Sequence, residues 1–497
     1  MGIIKKQFLA NSIFTYLGLF IGFVNYIVIL PRYFSTEQIG LLRLLISIAA
    51  IYAQIAQWGV PSAIIRYFPI YKTQDKRHNG ILSLMLLLGL IGCLLVTLCY
   101  ILGYGPIKEY FAQKSSLFSK YYWLVIPMGI SAALFNNFEA ISAAFYRSVE
   151  ANFLREVFLR LTLSFLAGFY IGHWITFEGV VGGVVISYVL AFLIIAWILL
   201  QQRKFIWIAS FSGLSSGEIN DILKFSAYCM LSGGVVLATF NIDSIMIGSM
   251  VGLSSLGVFS VYSNLAVIIA IPSRAFTKIA YPVLAEAWSR NDLPKLDKLY
   301  YKSSIIQTIL SVGIFLALCL CNQSVFALLK KVEYYENWMI FIFLGLSNMI
   351  NAAFGVNHYL INSSPKYQYD SYFNLLLLIL TVITNLIFIR LYGAIGAAFA
   401  TFLSMLILNI LKWGFIKIAF GLQPFSRNHI YVFLIALVSF LCAFFIPSFS
   451  NPYLDSIIRT LIFSILYLLG VTYFKVDVDI NLFLEKYLIR IISLKKA

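Results

Sequence analysis

Charge is what this sequence has least of. Charged residues fill 11% of 497 positions, and aspartate and glutamate together number 20. Soluble domains carry about a quarter, so a soluble globular fold is excluded. Histidine is scarcer still: His78, His173, His358 and His429 are scattered, and none stands at metal-ligand spacing. The six cysteines, Cys93, Cys99, Cys229, Cys319, Cys321 and Cys442, sit within or beside apolar runs. They form no disulfide or metal framework and are expected to be reduced. No phosphate-binding loop of the GxxxxGK(S/T) type is present, which excludes an ATPase of its own. Paired carboxylates of the kind glycosyl transfer needs are missing, as is any large loop to house them. The chain therefore reads as no enzyme, with no cofactor. Energy for work would come from an ion gradient, the membrane potential or a substrate gradient.

What is abundant is apolar sequence. Hydrophobic residues make up 61% of the chain, in runs of membrane-spanning length. About fourteen such runs can be placed. They centre near Gly18, Ala53, Ile91, Ser131, Leu163, Tyr188, Val236, Ala266, Ser311, Leu346, Ile379, Leu403, Leu437 and Ile465. Backbone groups in hydrocarbon must be satisfied within their own segment, and these runs are too long and too uniformly apolar for barrel strands. The expected fold is all-α and integral to the membrane. Ile3 to Ile29 is too long for a cleaved signal and is followed by no small-x-small site. Lys6 stands where a myristoylation signal needs Ser or Thr.

Two stretches repeat. Lys224 to Glu286 runs from an apolar helix through a Gly/Ser turn to a second helix with a proline-bearing exit, and Asn11 to Tyr71 has the same plan. Ile39-Gly40 corresponds to Leu256-Gly257. Downstream, FEGVVGGVVISYVL (177–190) is echoed by LYGAIGAAFATFL (391–403) at nearly the same offset. These two downstream segments each open an apolar helix with small residues at close spacing, which let neighbouring helices approach closely in lipid. A single period spanning almost half the chain makes two half-proteins. The expected division is a six-helix lobe over 1–204, a second over 205–420, two further spans over 421–474, and an amphipathic tail over 475–497 lying on the inner surface.

Lysine and arginine set the orientation. With fourteen spans and a cytoplasmic start, segments on the inner side hold Lys5, Lys6, Lys72, Lys76, Arg77, Arg147, Arg155, Arg203, Lys204, Lys224 and most of the later basic residues. The outer loops hold mainly Arg32, Lys108, Lys114, Lys120, Lys330 and Lys331. The bias places both termini inside. It also accounts for the formal charge of +16, so nucleic-acid binding is not called for.

The charges within the spans carry the most information, because an isolated charge in hydrocarbon is costly. Arg43 and Asp243 lie at matching depths in the second and seventh spans and are expected to face the cleft between the halves. A structural pair, or an arginine reaching the outer headgroups, is the plainer alternative. Arg66, Arg274 and Lys278 gather near the inner ends of the corresponding second and eighth spans. Together they could form a basic mouth for a phosphate group, against the alternative of an ordinary inside-positive fringe. Glu139 and Arg160 have similar depth on neighbouring spans and suggest a structural pair, with a proton or cation relay as second reading. Pro61, Pro127, Pro272 and Pro282 should bend their spans.

WGVPSAIIRYFPIY (58–71), NIDSIMIG (241–248) with LGVFSVYSNL (256–265), and YGAIGAAFATFLS (392–404) carry a family likeness. The chain resembles the polysaccharide-transport branch of the multidrug/oligosaccharidyl-lipid/polysaccharide exporter superfamily. The resemblance implies two pseudo-symmetric six-helix bundles around a central cavity, plus two C-terminal helices, working by alternating access. It implies a bacterial cytoplasmic-membrane flippase for polyprenyl-pyrophosphate-linked oligosaccharide, such as O-antigen, capsule or exopolysaccharide units. Asp243 takes the place of the family's seventh-span acidic residue, and Arg66 that of an arginine after its small-residue stretch. A coupling cation, H+ or Na+, and partnership with glycan polymerase machinery are further expectations. An ion-coupled multidrug exporter, and a peptidoglycan lipid-precursor flippase with a lipid-tail groove at its last two helices, remain alternatives. So does a membrane-embedded glycan polymerase or acyltransferase, from another class.

Overall fold

The structure is a computed structural model, and it describes residues 2–73, 78–201 and 213–477. The surface helix expected beyond Lys475 lies almost wholly outside the described residues, as do Lys76, Arg77, Arg203 and Lys204.

Among the described residues the chain is helical throughout, with no strand. Its long helices are α1 (Leu9–Tyr33), α2 (Thr36–Tyr71), α3 (His78–Leu102), α4 (Ser116–Ala144), α5 (148–171), α6 (Phe177–Gln201) and α7 (Ser216–Met250). They continue as α8 (Leu253–Ser289), α9 (Leu293–Leu320), α10 (Trp338–Ala353), α11 (Gln368–Phe420), α12 (Arg427–Phe444) and α13 (Pro452–Tyr473).

Among the described residues, eleven helices are long and apolar enough to cross a membrane, against about fourteen expected. The difference sits at three places. Helix α5 carries Glu150, Arg155, Glu156 and Arg160 near its start. Helix α10 has 16 residues. Helix α11 joins two expected spans, and its backbone leaves helical geometry at Gly393 (φ 58°, ψ −135°). That glycine reverses the chain. Asp370 and Lys412 would be about 63 Å apart along a straight helix, yet their side chains meet at 3.2 Å. The hydroxyls of Thr384 and Ser404 likewise meet across the hairpin at 3.0 Å.

Helix starts follow local chemistry. Ser35 caps α2 and Ser215 caps α7, each in a reciprocal pair with Gln38 or Glu218 three residues on. Helix α2 breaks at Gln57–Gly59, where Trp58 and Gly59 take positive φ, and Pro61 sits in the first turn of the restart. Its counterpart α8 stays helical through Pro272 and Pro282. The expected bends at corresponding places are thus a break in one helix and continuity in the other.

The outside is apolar. Leu87, Leu90, Leu94, Leu98 and Leu102 form one exposed stripe on α3, and Ile430, Leu434, Leu437, Leu441 and Phe444 form another on α12. Stripes of this size need a hydrocarbon solvent.

Packing divides the chain into two compact units, Met1–Val261 and Tyr262–Ala497, so the boundary falls inside α8. The repeat divides it at 204/205; one division follows packing, the other sequence correspondence. The first unit is cored by residues such as Phe68, Phe138, Ile195 and Ile222, from α2, α4, α6 and α7. One core of the second unit joins α9, α12 and α13 through Ile305, Val432 and Phe463.

The repeat has a physical counterpart within the first unit. A Cβ added at Gly40 would run into the Leu253 carbonyl oxygen, and one at Gly257 into the Thr36 carbonyl oxygen. Thr36 and Leu253 are separated by the same stretch of chain as the two glycines. The starts of α2 and α8 therefore cross reciprocally, backbone on backbone. The hydroxyls of Thr36 and Ser254 bond at 2.7 Å beside them.

Candidate functional site

The charged residues within the first unit are brought together by two π-helical turns, Val24–Ile29 in α1 and Leu154–Phe158 in α5. Such turns break helical register and often lie at functional sites. The first packs against the helix just beyond the second: Asn25 donates to the Arg160 carbonyl at 2.8 Å, and Ser164 donates to the Asn25 side-chain oxygen at 2.7 Å. Gly18 and Gly22 leave room for the Arg160 side chain. Tyr26 lies within electrostatic reach of Arg43 and Arg160, and Tyr188 within reach of Arg43, Arg155 and Arg160.

The expected pairing of Glu139 with Arg160 is not what forms. Arg155 takes Glu139, and Arg160 takes Glu156 at 2.8 Å, one turn back on its own helix. Similar depth fixes the height of a side chain but not its direction around the helix, and the π turn rotates that direction. Arg155 also donates to Asn136 at 2.7 Å. From there an amide chain runs through Gln57 (2.9 Å) to Gln54 (2.7 Å), linking α5, α4 and α2. Sequence reasoning did not find this chain. Its signal is polar amides, Gln54, Gln57 and Asn136, in otherwise apolar runs.

Arg43 donates from Nε to the Ser244 hydroxyl at 3.1 Å. Ser244 and its neighbour Asp243 are both buried. The structure thus brings Arg43 to the segment of α7 that matching depth had indicated.

Arg66 is exposed, its guanidinium 4.3 Å from the centre of the Phe225 ring and 5.4 Å from that of Tyr67. Stacking occupies the flat faces of the group and leaves its N–H edges for a ligand. In the second unit, Arg274 and Lys278 are exposed one turn apart on α8. Among the described residues, none of these three makes an ion pair, in contrast to Arg155 and Arg160.

The second unit also holds a buried cluster that sequence reasoning missed. His358, from the short helix Asn357–Asn362, has Nδ1 2.7 Å from Asp370 Oδ1, and Lys412 Nζ is 3.2 Å from the same oxygen. No spacing rule would have joined them, since the Gly393 reversal brings Lys412 to Asp370. Among the described residues no group of His, Cys, Asp and Glu could hold a metal ion.

Comparison with known proteins adds the family. The model of a family described as polysaccharide biosynthesis protein matches residues 4–288. An uncharacterized membrane protein of Methanocaldococcus jannaschii is 24% identical over 383 residues, 74% of this chain and 88% of that protein. Among solved structures, the lipid II flippase MurJ, in an inward closed conformation, superposes with a TM-score of 0.76 at 15% identity. That match covers 94% of this chain and 99% of MurJ. An inward-facing multidrug resistance transporter of the MATE family aligns with a TM-score of 0.63 at 16% identity, over 82% and 94% of the two chains. Both likenesses are of fold, and the family match spans more than half of the sequence. This multi-pass membrane protein belongs to the polysaccharide biosynthesis protein family.

Proposed function

We propose that the protein flips a polyprenyl-pyrophosphate-linked oligosaccharide across the bacterial cytoplasmic membrane. One contrast carries the reading. The arginines of α5 are matched by glutamates, while Arg66, Arg274 and Lys278 are exposed on corresponding helices with no carboxylate partner among the described residues. Matched charges stabilise a fold; unmatched guanidinium edges suit an anionic ligand, and pyrophosphate is bound well by bidentate arginine. In this proposal both termini are cytoplasmic and the three cations sit at the inner leaflet, where the substrate starts. Arg43 and Asp243 serve the route that the headgroup then takes.

The test neutralises Arg66 and Arg274 together. R66A/R274A should abolish surface glycan while protein level in the membrane fraction stays at the wild-type value. R66K should fall between the two, because an ammonium keeps the charge and loses the bidentate edge. Normal glycan display from the double variant overturns the basic-mouth assignment.

The likeness to a lipid II flippase favours a second reading in which the glycan is a peptidoglycan precursor with the same headgroup chemistry. Rescue of a strain depleted of its lipid II flippase would support that reading. A deletion strain that gains drug sensitivity and keeps its surface glycan would favour the multidrug reading over both.

A further inference from the structure

The buried cluster in the second unit has a chemistry of its own. Asp370 and Lys412 are both 3% exposed, while the side chain of His358 is 42% exposed. Asn374 donates to the second oxygen of Asp370 at 3.3 Å. Behind them, Asn357 donates to Asn409 at 2.7 Å, and Asn409 reaches Asn351 at 3.4 Å. The cluster therefore ties α10, the Asn357–Asn362 helix and both arms of α11 into one polar seam.

A carboxylate only accepts hydrogen bonds, so its close contact with the His358 ring fixes the proton of the neutral imidazole on Nδ1. Its Nε2 then carries the free lone pair. Lys412 Nζ lies 3.4 Å from Nδ1, and with Nδ1 already a donor this is an approach of two donors. Uptake of a proton at Nε2 would set an imidazolium beside an ammonium, with one carboxylate oxygen between them. Lys412 is enclosed and lies over the Phe373 ring. His358 sits on a six-residue helix and is the most exposed of the three.

The other titratable groups nearby are aromatic or more distant. Tyr359 meets the His358 ring edge-on at 5.0 Å, and Tyr281 of α8 meets the Tyr359 ring edge-on at 5.5 Å. Lys366 and Lys417 are directed to the Phe420 and Trp413 rings.

We propose that His358, Asp370 and Lys412 form a proton-binding site that couples a proton, not a metal cation, to the movement of the second unit. Lys412 already fills the cation position beside Asp370, so sodium would have to displace a tethered, enclosed ammonium. A proton needs only the Nε2 lone pair. On uptake, the His358–Asp370 contact becomes a full ion pair and clamps the short helix to α11; on release it weakens to the bond of a neutral imidazole. The site rests on the transporter reading and not on which glycan is moved.

The first experiment is histidine-selective NMR on the full-length chain in nanodiscs, where four imidazoles give four signals and H358Q identifies one. At neutral pH that signal should report the Nδ1–H tautomer. Its titration midpoint should move to higher pH in K412M and to lower pH in D370N. A signal that stays unchanged with pH, or a midpoint indifferent to Lys412, overturns the site. If K412M does not fold, D370N and H358Q decide.

The second experiment measures glycan display in cells treated with nigericin, and separately in sodium-free medium. Wild-type display should drop several-fold with nigericin alone, and H358Q should be low and insensitive to it. Display that follows sodium and ignores the pH gradient overturns the proposal. The NMR result stands whatever the transported glycan proves to be.

Discussion

The crossing of α2 and α8 makes the sharpest prediction. Gly40 and Gly257 each place an open Cα against the other helix's backbone, and a Cβ at either would come closer than 3.0 Å to a carbonyl oxygen. Backbone cannot turn aside as a side chain can, so the helices must part by about 1.5 Å to restore ordinary contact distance. Overpacking of this kind costs about 1–3 kcal/mol. Parting also strains the hydrogen bond between Thr36 and Ser254, which is worth about 1 kcal/mol. G40A and G257A should therefore lower the melting temperature of the detergent-purified protein by equal amounts, because the two clashes are mirror images. The double variant should melt close to either single one: once the helices have parted for one methyl, the second is accommodated. This non-additivity separates one shared crossing from two unrelated tight spots. Gly182 and Gly414 have nothing within 4 Å of an added Cβ, so alanine there should be neutral or stabilising by up to about 1 kcal/mol. Additive losses at Gly40 and Gly257, or a G40A protein that melts like wild type, would refute the reciprocal crossing.

Two further predictions concern ion pairs of different burial. Arg459 pairs with Asp455 at 2.8 Å and donates to the carbonyls of Phe444 and Ile446 at the end of α12. R459A strands a carboxylate that is 1% exposed and should cost about 3–5 kcal/mol, seen as a large drop in melting temperature that D455N partly reverses. The pair of Arg155 and Glu139 is different, with side chains 41% and 31% exposed. Its loss in E139Q should cost less than about 1 kcal/mol and leave melting nearly unchanged. A large destabilisation there would mean that the amide chain through Asn136 and Gln57 depends on the pair.

Some of the arrangement was legible in advance because it is written in local or periodic signals. The repeat matched Gly40 to Gly257, while the crossing that these two glycines permit is seen only in the structure. Apolar runs located the helices within a few residues. The echo at 391–403 was read as the opening of a helix, and it is: its glycine at 393 also makes the turn that closes the α11 hairpin. Matching depth led from Arg43 to the right segment of α7. It failed for Glu139 and Arg160, because depth along a helix says nothing about azimuth and the π turn at Leu154–Phe158 changes the azimuth. His358, Asp370 and Lys412 stayed invisible for a similar reason. Asp370 and Lys412 come into contact only after the chain reverses at Gly393, and His358 reaches them from a separate short helix.

The sequence by itself determined that this is a helical membrane protein. With 61% hydrophobic residues and 11% charged, the transfer free energy of the runs summed together leaves no other solvent or secondary structure open. Those terms are additive and need no knowledge of neighbours. Tertiary structure alone decided which charges are matched and with which partner. Pairing energies act over a few ångströms, and those few ångströms are set by helix rotation and chain reversal that no single segment specifies.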